Sequence, residues 1–163
     1  METLLQIVRG RLQLTTDPDI MLKFTLSALW NLTDESPLTC EMFLEKGGIP
    51  LYLEVLRVYQ GSSAVETKVL GLLNNIAEVP GLRHGLLTED FVGSLMTLLD
   101  STHIDVSYFA AGIFAHLISD GEQIWQLSSI DRAVVMANLV SRSLCHSFIQ
   151  MFSFVFSQHR PRR

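Results

Sequence analysis

Apolar positions along the chain fall at helical spacing, and nowhere do they alternate with period two as a half-buried strand requires. The pattern also repeats. Lys23 to Asp34 (KFTLSALWNLTD), Thr67 to Glu78 (TKVLGLLNNIAE) and Tyr108 to Ser119 (YFAAGIFAHLIS) superimpose at offsets of about 44 and 41 residues, within the period of armadillo and HEAT repeats. One aligned position holds Ser27, Gly71 and Gly112, all small. Glycine inside a helix costs about 1 kcal/mol against alanine, so its place here implies close approach by a packing neighbour.

A second set repeats in step with the first. Ile49, Leu53 and Leu56 align with Phe91, Leu95 and Leu98, then with Ile130, Val134 and Ala137, each at i, i+4, i+7 on one helix face. Helix breaks separate the sets at Ser36-Pro37, Gly47-Gly48, Gly61-Ser62, Pro80-Gly81 and Asp120-Gly121. Each unit therefore reads as a short helix, a second helix and a longer third helix, which is the armadillo pattern rather than the two-helix HEAT pattern. The expected fold is all-α, an armadillo-like right-handed stack of about three repeats over residues 1–140, followed by an atypical apolar and basic tail over 141–163. A single unit cannot bury its own apolar face, so neighbours must stack to build a continuous core.

In such a stack the third helices line a concave groove. The stripe expected to face it runs Lys23, Ser27, Trp30 and Asp34 with Asn31 beside it, then Thr67, Gly71, Asn74 and Glu78 with Asn75, then Tyr108, Gly112, Ala115 and Ser119 with His116. The opposite faces, expected in the core, carry Phe24, Leu29 and Leu32, then Val69, Leu73 and Ile76, then Phe109, Ile113 and Leu117. Asp34 and Glu78 occupy aligned positions in adjacent repeats. Helix axes pack about 8–10 Å apart, so two such carboxylates are placed to hold one cation between them. Asn31 and Asn75, also aligned, offer donors and acceptors to a peptide backbone. Trp30 adds a flat wall for cation–π contact or steric exclusion.

Composition narrows the function. The chain has 163 residues, 48% hydrophobic and 18% charged, with a net charge of −5. That is apolar enough for a real core. The acidic balance disfavours nucleic acid, which requires a basic face. Cys40 and Cys145 make no disulfide framework, consistent with a reducing intracellular setting, cytoplasmic or nuclear. Glu2 stands where a secretory signal carries basic residues, and no apolar run is long enough for a transmembrane helix. The Phe-rich tail with Arg160, Arg162 and Arg163 also fits an interfacial helix, though packing as a last helix is the commoner fate of such a stretch.

Enzymatic chemistry finds no footing. His84, His103, His116, His146 and His159 show no metal-ligand spacing, and there is no nucleophile elbow, P-loop or dinucleotide glycine motif. Asp34 and Glu78 as a glycosidase-like couple would need sugar-binding aromatics and a closed cleft. The expectation is a protein-binding module with no metal or cofactor, and not an enzyme.

The strings ALWNLTDESP (Ala28–Pro37), KVLGLLNNIAEV (Lys68–Val79) and DVSYFAAGIFAHLISDGEQ (Asp105–Gln123) closely resemble the armadillo-like region of the Zyg-eleven/Zer-one family, over roughly residues 1–125. That family contains substrate receptors of cullin–elongin ubiquitin ligases that recognise proteins with an exposed N-terminal glycine. The resemblance implies an amine-clamping pocket, an N-degron site, in which Trp30, Asn31 and Asp34 of ALWNLTD and Asn75 and Glu78 of NNIAE take part. Asn74, Tyr108 and His116 are implied groove positions. Family members also carry an elongin-binding box and leucine-rich repeats ahead of this region, so joining a ligase is expected only with those parts present. They continue with further repeats, whereas SRSLCHSFIQMFSFVFSQHRPRR departs from the pattern. The competing expectation is a truncated scaffold of armadillo repeats that associates through exposed apolar surface without a working pocket.

Overall fold

Local signals in the sequence set each helix boundary. The Asp19 carboxylate accepts the Leu22 N–H at 2.8 Å and so starts the long helix at Ile20. Pro37, pre-set for a helical first turn, opens the next one. Gly47, at φ +70°, makes the corner that a side-chain-bearing residue enters only at a cost. Thr88 Oγ1 accepts the Phe91 N–H at 3.3 Å at a later start.

The computed structural model describes residues 1–14 and 17–143. Within them the order is α1 (Glu2–Leu12), α2 (Ile20–Thr33), α3 (Pro37–Glu45), α4 (Gly48–Val58), α5 (Ser63–Glu78), a 3₁₀ helix (Pro80–Leu86), α6 (Glu89–Leu99), α7 (Ile104–Ser119) and α8 (Arg132–Ser143). No strand occurs among the described residues. The protein is an all-helical repeat stack. The short–second–long unit is complete in α3, α4 and α5. It is preceded by α1 and α2, and followed by a unit whose short helix is the 3₁₀ turn, with α6 and α7. The long helices form one layer, α2 on α5 and α5 on α7, while α1, α4 and α6 form the other. Leu26, Leu29, Val69, Leu72, Ile76, Ile113 and Phe114 fill the space between them, all fully buried.

Two expectations fail. Phe24 and Leu32 are not core residues: they are 67% and 46% exposed. Their register is the one that faces the preceding long helix, and among the described residues none precedes α2. The Ile130, Val134, Ala137 alignment fails too. Ile130 precedes α8, and its carbonyl accepts the Trp125 indole N–H at 2.8 Å. Asp131 caps the helix by accepting the Ala133 N–H at 2.7 Å. That start rotates Val135 and Leu139 inward and leaves Val134 exposed. The last helix runs on to Ser143. The rest of the tail, 144–163, lies outside the described residues.

Candidate functional site

The site grows from the C-terminal end of α2. Four carbonyls at a helix end lack intrahelical partners, and each here is engaged. The Trp30 carbonyl accepts from Thr33 Oγ1 at 2.8 Å and from Asn75 Nδ2 at 3.2 Å. The Asn31 carbonyl accepts the Asp34 N–H at 3.4 Å. The Leu32 carbonyl accepts from Thr39 Oγ1 at 2.5 Å. The Thr33 carbonyl accepts the Ser36 N–H at 3.3 Å and the Cys40 thiol at 3.4 Å. Asn75 makes a second bond, to Thr33 Oγ1 at 3.1 Å. One amide thus pins α5 to the end of α2 and fixes Trp30, Asn31 and Asp34 against it.

Trp30 projects from α2 across α5. A Cβ on Gly71 would lie 2.3 Å from the indole, so only glycine leaves room for the ring. Beyond it the indole meets Phe109 of α7 edge-on, with centroids 5.4 Å apart and planes at 88°. Phe109 in turn meets Tyr108 edge-on at 5.5 Å. Aromatic residues from the first and third long helices therefore close over the second. The same device recurs one repeat on: Asn74 Oδ1 lies 3.0 Å from where a Cβ on Gly112 would be, while Asn74 Nδ2 donates to Glu78 Oε1 at 2.7 Å. The small aligned residues accommodate the neighbouring repeat's side chain.

Charge gathers at the same place. Asp34 is the C-cap of α2 and Glu35 follows it; Glu78 is the last residue of α5. Neither helix has a basic residue in its last turn. Each helix end already carries a partial negative charge, which disfavours an acid there and favours a cation beside it. The Cys40 thiol registers the field. Burial, and secondly the Glu78 charge, push its pKa up from 9.0 to about 11. That thiol also contacts the Thr33 carbonyl at the end of α2, so the Glu78 charge at the end of α5 is felt at the end of the neighbouring long helix.

The structure brings Trp30, Asp34, Asn75 and Glu78 to this region, with Asn31 exposed beside them. Asn75 spends its donors on α2. Tyr108 and Asn74 are half-buried along the stripe. His116 is 7% exposed, so it lies beneath the groove and not on its wall. Its register is that of Asn75, which turns back toward the preceding helix. Two residues escaped the sequence reading. Thr33, buried at 1% exposure, links Asn75 to the helix end. Phe109, expected in the core, is half-buried against Trp30. A signal for Phe109 existed: its aligned partners, Phe24 and Lys68, are not consistently apolar.

Fold and site together define a helical-repeat protein whose neighbouring long helices carry Trp30, Asp34, Asn75 and Glu78 near their C-terminal ends. The family model for the C-terminal domain of proteins like the zer-1 homolog matches residues 1–144. The mouse protein zer-1 homolog (Mus musculus) is 39% identical over 135 residues, 82% of this chain and 17% of the relative. Zyg eleven-related protein 1 of Caenorhabditis elegans is 37% identical over 124 residues, 75% of this chain and 14% of the relative. The chain belongs to the zer-1/Zyg eleven-related family. It spans less than a fifth of the length of these two relatives.

Proposed function

We propose that this chain is a peptide-recognition module whose groove takes the N-terminal glycine of a target protein, as a substrate receptor for a ubiquitin ligase does. The observation behind the reading is the place of Asp34 and Glu78 at the ends of two neighbouring helices that have no basic residue in their last turns, beside an indole that fits only because residue 71 is glycine. A peptide α-amine has an ordinary pKa of about 7.7–8.0, so it is mostly an ammonium near neutrality. Carboxylates of Asp34 and Glu78 accept its charge-assisted hydrogen bonds, roughly twice as strong as neutral ones. Trp30, held edge-on against Phe109, blocks a side chain at the first residue. Asn31, exposed beside it, is free to bond the peptide backbone. Joining a cullin–elongin ligase belongs to parts of the longer relatives outside this segment.

Titration of three fluorescent peptides tests this: glycine-starting, the same peptide acetylated, and one starting with leucine. The glycine peptide is expected to bind at least tenfold more tightly than either of the others. Equal binding of all three would leave the scaffold reading, which the exposed Phe24 and Leu32 favour, in its place.

A further inference from the structure

We infer that the outer face of α2 is a stacking surface for one further long helix of the same repeat type, supplied by the polypeptide ahead of this domain. Ile20, Phe24, Ala28 and Leu32 follow at steps of four along α2, a single stripe over the whole helix. Ile20, Phe24 and Leu32 are 70%, 67% and 46% exposed. Monomeric surfaces seldom display apolar side chains in such a continuous row.

The repeat itself says what covers this face. With the offsets of about 44 and 41 residues, Ala28 and Leu32 correspond to Leu72 and Ile76 of α5, and to Ile113 and Leu117 of α7. Those four are between 0% and 1% exposed. On α5 this side adjoins Asn75, whose amide bonds to the end of α2, so it is the side that a preceding long helix covers. On α7 the stripe begins with Phe109, aligned with Phe24, and Phe109 takes its contact from Trp30 in the direction of the earlier repeats. The same register is therefore buried by a preceding long helix in α5 and α7 and bare in α2. A solenoid that stacks by nearest neighbours completes that interface with one more copy of the same element. Family context agrees: the matching family model describes a C-terminal domain, so its members have chain ahead of this segment.

The covering helix has a defined chemistry. It is about 16 residues long, as α5 and α7 are, apolar on the face toward α2. Helix α5 already packs on α7, whose Phe109–Ile113–Leu117 stripe matches that of α2 best, so its own sequence serves as the probe. An extra copy of residues 62–79 is joined ahead of Met1 of the full chain through a flexible glycine–serine linker of about 20 residues, which raises its local concentration to the millimolar range. The fusion is expected to raise the thermal midpoint by on the order of 5 °C. Phe24→Glu, and separately Leu32→Glu, abolish the rise; both sites are exposed, so each unfused variant keeps its helical circular dichroism. No rise in the parent, or an equal rise in both variants, overturns the inference. A dimer of the unfused chain that forms with concentration and is lost in Phe24→Glu would also overturn it, by giving the face to a second copy.

Discussion

Replacing Gly71 by alanine separates two effects of opposite sign. Inside a helix, alanine is favoured over glycine by about 0.8–1 kcal/mol. At this position the new Cβ would sit 2.3 Å from the Trp30 ring, and a planar, half-buried indole cannot yield by a small bend. Overpacking costs about 1–3 kcal/mol. If the ring swings away instead, its edge-on contact with Phe109 is lost, about 0.5–1.5 kcal/mol more. Steric cost outweighs propensity, so Gly71→Ala is expected to destabilise by about 1–2 kcal/mol. In a Trp30→Ala background the obstacle is gone, and the same substitution should stabilise by about 0.8–1 kcal/mol. The sign reversal amounts to a coupling of about 2–3 kcal/mol, at the upper end for residues in contact. Gly93→Ala in α6 is the control. Nothing lies within 4 Å of its would-be Cβ, so it should stabilise in either background. Urea unfolding followed by far-ultraviolet circular dichroism reads all five variants without relying on Trp30 fluorescence. The reasoning is refuted if Gly71→Ala stabilises the parent as much as Gly93→Ala does.

Three further outcomes follow from other parts of the molecule. Tyr52 is fully buried against Phe43 and its hydroxyl has no hydrogen-bond partner among the described residues, so Tyr52→Phe should raise unfolding stability by about 1 kcal/mol; a loss would show that the hydroxyl is satisfied in solution. Arg83, buried at 4% exposure, ties the Ala77 carbonyl at the end of α5 to Ser119 and Asp120 at the end of α7, so Arg83→Met should cost about 3 kcal/mol in urea unfolding, and a cost under 1 kcal/mol would deny it that role. Glu89 accepts bonds from Ser128 and Ser129, chiefly the Ser129 hydroxyl, which hold its carboxyl below the ordinary 4.5. A depressed carboxyl stabilises fully above that ordinary value and loses its effect as pH falls through the lowered one. Amide exchange at Ser128 and Ser129 should therefore lose protection only below pH 4.5, and Glu89→Gln should remove the dependence.

Repeat period, helix breaks and the acidic–aromatic stripe were legible because each has a strong one-dimensional signature. Glycines and a Ser-Pro step mark turns, and a register of about 44 residues carries Trp30, Asp34, Asn75 and Glu78 onto matching helix turns. What stayed hidden depends on neighbours. Phe24 and Leu32 match core periodicity, yet periodicity reports a face and not whether another helix lies on it. Ile130 matches the second-helix pattern, but the Asp131 cap and the Trp125 bond to its carbonyl start the helix two residues later. Asn75 reads as a peptide-binding amide from its alignment with Asn31, whereas its donors go to Trp30 and Thr33 across 45 and 42 residues of chain. Such pairings are set by three-dimensional contact alone.

The most direct test of amine recognition couples the protein's acid to the peptide's charge. Parent and Asp34→Asn are each titrated with the free glycine-starting peptide and with its acetylated form. Asp34 is exposed at the end of α2, an unfavourable place for an acid, so the substitution should leave the fold intact and gain a few tenths of a kcal/mol in stability. A charged hydrogen bond left unmade costs on the order of 1.5–3 kcal/mol, or about ten- to a hundred-fold in affinity. The free peptide should lose that much on Asp34→Asn, while the acetylated peptide, already weak, should bind both proteins alike. Equal losses for the two peptides, or no loss for either, would contradict a carboxylate–ammonium contact at this site.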